Sequence, residues 1–228
     1  MIQKLVVGLL TLVVSFVTPM AVMDHIRFTE QITALGHWSH RLEVKTAKLD
    51  FKAIRLATQM LYVEGLGNGS GVRIASTRML TAAHVASIDS DSSPLLLNGK
   101  RVKVLKVDEE LDLALLEVEP GPYVELGVVP AIDSVGYIVG YPMSQRGVPQ
   151  FLTEGRVMGH SPDLKRTFTA IPAAPGNSGG GLFAYQDGKW KLTGILVSVS
   201  AMGGMFQPMP VFHMSHSVDI ESIKKFLA

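Results

Sequence analysis

The chain has 228 residues, 47% of them hydrophobic, which is enough for one large domain or two small ones with a buried core. Residues 56–228 carry 14 basic and 16 acidic side chains without a basic stripe, so no nucleic-acid partner is expected. There is no cysteine, which excludes disulfides, thiolate catalysis and cysteine-ligated zinc. The seven histidines show no metal-binding spacing, and we expect neither a metal nor a cofactor.

The amino terminus carries an apolar segment, residues 5–23, without a charged side chain. As a helix it would span about 28 Å, close to the ~30 Å hydrocarbon core of a bilayer. An uncleaved signal anchor in a hydrophobic helix is predicted; a cleaved signal peptide is the alternative, although the small-x-small cleavage pattern is poor. A buried core helix is disfavoured because every face is apolar. We expect the rest of the chain to be membrane-anchored and extracytoplasmic, although the basic residues that follow favour the opposite orientation.

Beyond the anchor the composition changes twice. Residues 24–55 mix charged and apolar side chains, which indicates a juxtamembrane helix or linker. In residues 56–228, apolar runs of four to eight residues alternate with Gly, Pro, Asp and Ser clusters, leaving no room for crossover helices. This pattern predicts one all-β domain, a barrel or a sandwich. Only SVDIESIKKFLA at the end has helical spacing, with Ser217 as its predicted N-cap.

Three short segments carry possible chemistry: TAAH at 81–84, DLALLEV at 112–118 and APGNSGGGLF at 174–183. A serine hydroxyl needs a general base, most often histidine, and the histidine needs an acid that holds its tautomer. His84, Asp112 and Ser178 supply one of each. Other acids lie nearby at 108–110, but only Asp112 directly precedes the apolar strand.

In the order His, Asp, Ser, these segments resemble the trypsin-like (chymotrypsin-fold) serine proteases. GNGSGVRI, VGYIVGYP and LTEGRVMG are similar to strands of the bacterial HtrA-type branch, and the resemblance runs from about residue 67 to 227. It implies two six-stranded antiparallel β-barrels with the active site between them and a C-terminal helix.

The resemblance also implies the roles of the candidate residues. Ser178 is the expected nucleophile, His84 the base and Asp112 the residue that orients it. The N–H groups of Gly176 and Ser178 are expected to form the oxyanion hole. The glycines at 179 and 180 are expected to allow a tight exit into the next strand, whereas Gly181 is left without a role other than packing.

Two features of the sequence differ from better-known members of these protease groups. Asn177 stands where digestive enzymes carry an aspartate that pairs with a newly cut amino terminus, so no such activation cleavage is expected. The sequence also ends eleven residues after Ser217, which leaves no room for a PDZ domain of ~90 residues. Regulation by peptide capture and large cage-like assemblies are therefore not expected, and the oligomeric state is left open.

The walls of the primary specificity pocket follow from the same resemblance. One wall consists of Ile171, Pro172, Ala173, Ala174 and Pro175, and the other of Val197, Ser198 and Val199. The second wall is expected to pair with the substrate backbone as an added strand. Because the first wall is uncharged, a small or medium apolar side chain is predicted at the cleavage position. The alternative is that His213 reaches the pocket floor and favours Glu or Gln.

The sequence thus predicts a membrane-tethered serine endopeptidase acting on proteins or peptides. A viral or phage processing protease is an alternative within the same class. Two alternatives of other classes are a catalytically inactive, protease-like binding module and a tethered interaction protein in which proteolysis is secondary.

Overall fold

The computed structural model describes residues 50–63, 66–90, 93–142, 149–202 and 209–228. The predicted anchor and N-terminal hydrophobic helix, residues 5–23, and most of the predicted linker lie outside the described residues. Within those ranges, no helix is long and apolar enough to cross a membrane. Residues 51–228 form one compact unit.

The elements follow one another in short steps along this unit. The helices are α1 Lys52–Ala57, α2 Ala83–Ala86 and α3 Ile220–Leu227. The strands of the first sheet are β1 Thr58–Val63, β2 Gly67–Ala75, β3 Arg78–Thr81, β4 Leu95–Leu97, β5 Lys100–Arg101, β6 Lys103–Asp108 and β7 Leu113–Glu117. Those of the second are β8 Glu125–Leu126, β9 Val135–Gly140, β10 Phe151–Ser161, β11 Arg166–Ala170, β12 Gly181–Gln186, β13 Lys189–Met202 and β14 Met209–Asp219.

Two hairpins are fixed by their turn residues. Asn98 and Gly99 join β4 to β5 with φ angles of 52° and 80°, and Asp187 and Gly188 join β12 to β13 with 52° and 77°. Two successive positive φ angles match the twist of a tight hairpin, and Asn-Gly and Asp-Gly tolerate them best.

The first sheet has the order β5-β4-β1-β2-β3-β7-β6. Its inward side chains are apolar, and Leu61, Leu80 and Leu116 are fully buried. In the described ranges no ladder joins β5 to β6, so this sheet is a half-barrel.

The second sheet closes on itself. Ladders run β9-β10-β11-β14-β13-β12, and β12 pairs back with β9, which completes a six-stranded barrel. Its core contains Ile138, Ile171, Leu182 and Leu196, with exposures of 2% or less. The predicted all-β, trypsin-like architecture is confirmed, but of the two predicted six-stranded barrels only the second is closed in the described ranges, and the first is a seven-stranded half-barrel.

The C-terminal helix is present but begins later than predicted. Asp219 is its N-cap and accepts a 2.8 Å hydrogen bond from the N–H of Ser222. Ser217 is not the cap, because it lies in β14, fully buried and paired with Thr167 and Leu196. The ladder to β13 holds the chain extended as far as Asp219, so the helix starts only where that pairing ends.

Candidate active site

His84 and Asp112 are in direct contact. His84 Nδ1 lies 2.8 Å from Asp112 Oδ2 and 3.0 Å from Oδ1, and the His84 backbone N–H donates to Oδ1 at 2.9 Å. Because an ionised carboxylate only accepts, these contacts place the ring proton on Nδ1 and leave Nε2 as a base. Burial of Asp112 opposes its ionisation, but the hydrogen bonds from His84 outweigh it and hold the pKa of the carboxyl below its usual value.

A tight turn selects Asp112 from the neighbouring acids. Asp112 has φ 56° and closes the turn with a hydrogen bond from its N–H to the Glu109 carbonyl. Asp108 accepts from the N–H of Leu111 at 2.8 Å and so stabilises the same turn, while Glu110 forms an ion pair with Lys165. Among these side chains, Asp112 is the one that contacts the His84 ring.

The loop that carries Ser178 is hydrogen-bonded to both sheets. The Ser178 carbonyl accepts from the N–H of Ser70 on β2 at 2.8 Å, and the next N–H, that of Gly179, donates to Leu196 on β13 at 2.7 Å. Thr81, three residues before His84, donates its hydroxyl to the Ser70 carbonyl at 2.7 Å. One junction therefore connects the Ser178 loop to the strand that leads into His84.

The reactive atoms themselves are available. The His84 side chain is 49% exposed and Ser178 is half-buried. Within the described ranges, neither His84 Nε2 nor the Ser178 hydroxyl has a hydrogen-bond partner, so both can act on a bound substrate.

The glycines around Ser178 have separate structural causes. Gly179 has φ 82°, and a Cβ there would clash with the Ser70 carbonyl and the Thr81 hydroxyl. A Cβ on Gly180 would lie 2.5 Å from the Val139 carbonyl oxygen. Gly181 is explained by packing, because a Cβ there would meet the ring of Phe183.

The predicted oxyanion donors lie in a suitable backbone conformation. Gly176 has φ 95°, which is open to glycine at no steric cost. In the described part of the chain, neither its N–H nor that of Ser178 donates to a backbone carbonyl. Two unpaired N–H groups beside a serine hydroxyl can stabilise a developing negative charge.

Ser70 is a site residue that the sequence analysis missed. Its buried hydroxyl donates to the Gly176 carbonyl at 2.9 Å and accepts from the N–H of Tyr141 at 2.9 Å. It therefore fixes the carbonyl of Gly176, the residue predicted to supply one oxyanion donor. The only sequence signal was its position in the GNGSG motif, which had been interpreted as a strand match.

Asn177 is turned into the protein. It is 3% exposed, its Oδ1 has no hydrogen-bond partner, and a Cβ on Gly140 would lie 2.7 Å from that oxygen. A neutral amide is less costly in such a place than a carboxylate, because an unpaired buried charge is strongly unfavourable.

The two candidate substrate walls meet at one apolar cluster of the second barrel. Ile171 and Ala173 are buried in the barrel core and Val199 packs against them, while Ser198 is exposed. Pro172 and Pro175 are exposed, and Ala174 and Val199 are half-buried; Val197 is 6% exposed. The N–H of Ala173 donates to the carbonyl of Phe212, and the next residue, His213, is exposed.

No metal site accompanies this arrangement in the described ranges, where no group of three or more His, Asp or Glu side chains could hold an ion.

Residues 69–195, more than half of the chain, match the Trypsin-like peptidase domain family. The chain belongs to this family, and the predicted resemblance is confirmed.

Sequence identity to individual relatives is low. A protein of Arabidopsis thaliana, "Putative protease Do-like 12, mitochondrial", is 28% identical over 176 residues, which are 67% of this chain and 34% of that protein. The chain thus spans about a third of that relative.

Solved structures support the fold. The serine endoprotease from Yersinia pestis is 21% identical with a TM-score of 0.62, over 78% of this chain and 63% of that one. An HtrA-type protease solved with a tripeptide is also 21% identical, with a TM-score of 0.60, over 78% and 62% of the two chains.

Proposed function

We propose that the protein is a serine endopeptidase whose nucleophile, base and orienting acid are Ser178, His84 and Asp112. The observation that carries the proposal is the His84 ring, held at Nδ1 by Asp112 with Nε2 left free. The Ser178 loop is hydrogen-bonded to Ser70 on β2, and Thr81, at the end of the strand that leads to this histidine, binds the same residue. Family membership and the relative named as a protease support the same reaction.

The geometry suits acyl transfer. Ser178 Oγ attacks the scissile carbonyl while His84 Nε2 takes its proton, and the Asp112 carboxylate stabilises the resulting imidazolium. The N–H groups of Gly176 and Ser178 bind the oxyanion. His84 then gives its proton to the leaving amine, and the acyl-enzyme is hydrolysed by water activated at the same histidine.

The primary pocket is proposed to take a small or medium apolar side chain, because its walls are Ala173, Val199 and neighbouring uncharged residues. The alternative preference for Glu or Gln depends on His213. Residues 5–23 are proposed to tether the enzyme, with the protease domain on the extracytoplasmic side.

A fluorophosphonate probe, which reacts with an activated serine by losing fluoride, tests the chemistry. The full-length chain is expected to be labelled, Ser178→Ala to be unlabelled, and the exposed control Ser76→Ala to behave as wild type. A folded wild-type protein that stays unlabelled would favour the inactive binding module.

Labelling of sealed cells by a membrane-impermeant probe tests the proposed orientation, and labelling only after lysis would contradict it.

Ser70→Ala is expected to impair positioning without touching the triad. The change leaves the Gly176 carbonyl and the Tyr141 N–H unpaired, which costs about 1–3 kcal/mol of unfolding free energy. We expect kcat to fall roughly 10- to 100-fold because the oxyanion donors shift.

The matched control is Ser217→Ala, which removes an equally buried hydroxyl that has no hydrogen-bond partner. It is expected to leave stability and kcat nearly unchanged. Equal kcat values in the two variants would show that Ser70 has no positioning role.

A further inference from the structure

A pocket of about 390 Å³ adjoins the candidate active site, and its lining includes Glu110, Arg166 and His216. Glu110 lies two residues before Asp112, in the same turn. His216 on β14 pairs with Ser198 on β13, the strand proposed to bind the substrate backbone. The pocket therefore lies between the turn that presents the triad carboxylate and the substrate strand.

Strand pairing shows how a substrate would reach it. The β12–β13 ladder ends at Ile195, whereas β14 remains paired with β13 as far as Met202, with a register shift after Val199. One edge of residues 197–199 is thus open for an added strand. Side chains of that strand alternate between the two faces of the sheet.

The two faces differ in chemistry. Val199 packs against the apolar cluster that contains Ile171 and Ala173, residues of the proposed primary pocket. On the other face, the hydroxyls of Ser198 and Ser200 lie 3.3 Å and 2.7 Å from the two nitrogens of the His216 ring, which lines the 390 Å³ pocket. Counted back from the scissile bond, the residue at the cleavage position is the first. If its side chain faces the primary pocket, the side chains of the second and fourth residues face the 390 Å³ pocket.

Arg166 is a charged side chain of the pocket, and its charge also helps to hold the pKa of the Asp112 carboxyl below its usual value. Lys165 is paired with Glu110 at 2.8 Å, but the Arg166 guanidinium donates only to the Lys165 carbonyl, at 3.3 Å. No carboxylate among the described residues forms an ion pair with Arg166, including the exposed Asp163 on the pocket rim.

The rest of the lining is apolar or neutral. Leu164 and Phe168 contribute apolar surface, and the Phe168 ring meets His216 edge-on at 4.6 Å between centroids. Burial, and secondly the nearby Arg166, lower the pKa of His216, so its ring is neutral at neutral pH. A half-buried guanidinium among such groups is a strong partner for a carboxylate, which it can bind through two parallel hydrogen bonds.

We infer that Arg166 is a specificity-determining residue that binds an acidic side chain two or four residues before the scissile bond. The inference rests on the proposed endopeptidase function and extends it from the cleavage position to the residues upstream. Its substrates are peptides with Glu or Asp at one of those positions and an apolar residue at the cleavage position.

The test compares peptides that differ only by Glu, Gln or Lys at each of the two positions, cleaved by the full-length chain. We expect kcat/KM to be roughly 10- to 100-fold higher for Glu than for Gln at one of them, as for a hydrogen bond to a charged group. Arg166→Gln is expected to bring this ratio close to one, and Arg166→Glu to favour the Lys peptide. A new preference for Lys cannot arise from misfolding.

The matched control is Arg78→Gln, which removes a surface arginine paired with Glu117 and should keep the wild-type ratio. If wild type cleaves the peptides but shows no Glu preference, or if Arg166→Gln retains it, the inference is wrong and the endopeptidase stands. If the folded wild type neither cleaves any peptide nor reacts with the fluorophosphonate, both proposals fail.

Discussion

Replacement of His84 by Ala is expected to lower kcat roughly 10⁶-fold, and adding Ser178→Ala to this variant is expected to cost almost nothing more. The reason is that the hydroxyl is a poor nucleophile until the base takes its proton, so the two residues act as one unit. Peptide hydrolysis by the two single variants and the double variant measures this directly.

Substitution of Asp112, the third member of the proposed triad, should lower kcat less. Asp112→Asn keeps the shape but can donate to Nδ1, which favours the wrong tautomer of His84, and we expect roughly a 10⁴-fold loss in kcat. Glu109→Gln, in the same turn and exposed, is the matched control and should change kcat less than about twofold. If the kcat losses of the His84 and Ser178 single variants multiply in the double variant, the two residues do not act as one unit.

Gly179→Ala is expected to be the most disruptive single methyl group in the loop. Its φ of 82° strains an alanine by about 1–2 kcal/mol, and its Cβ would clash with the Ser70 carbonyl and the Thr81 hydroxyl, adding about 1–3 kcal/mol. We expect thermal unfolding to begin about 5–15 °C lower and fluorophosphonate labelling to be lost, because Ser178 adjoins the displaced residue.

Gly188→Ala is the control variant, which adds backbone strain without a steric clash. Gly188 has a similar φ of 77°, but a Cβ there would meet nothing within 4 Å. It should cost only the backbone strain, about 1–2 kcal/mol, with labelling unchanged. Similar effects of the two alanines, measured by thermal unfolding and by labelling, would show that the junction between the Ser178 loop and β2 is not tightly packed.

Much of the fold could be predicted because strands leave a local signal. Short apolar runs between turn residues predict the all-β class, and β2, β9 and β10 lie at GNGSGVRI, VGYIVGYP and LTEGRVMG, the segments that resemble protease strands. The position of Ser217 shows the limit of this reasoning. Its local sequence is typical of an N-cap, but pairing with distant strands keeps it extended, and Asp219 caps the helix instead.

The candidate site shows the same division. His84, Asp112 and Ser178 were chosen from three local segments, and the structure brings His84 and Asp112 into contact. Ser70 and Arg166 could not be chosen in this way. The partners of the Ser70 hydroxyl are 71 and 106 residues away, and Arg166 is distinguished only by its place in a pocket that forms when distant segments meet.

By itself, the sequence predicted the strand-rich fold, the three candidate reactive side chains and the need for glycine around Ser178, because each prediction depends on residues close together in the chain. The tertiary structure alone decided how the Ser178 loop is fixed to β2, that the Ser70 hydroxyl binds the Gly176 carbonyl, and that Arg166 lines a pocket beside the turn of Asp112. These features depend on hydrogen bonds and charges that meet only when distant strands pair, and a linear pattern carries no record of such distances.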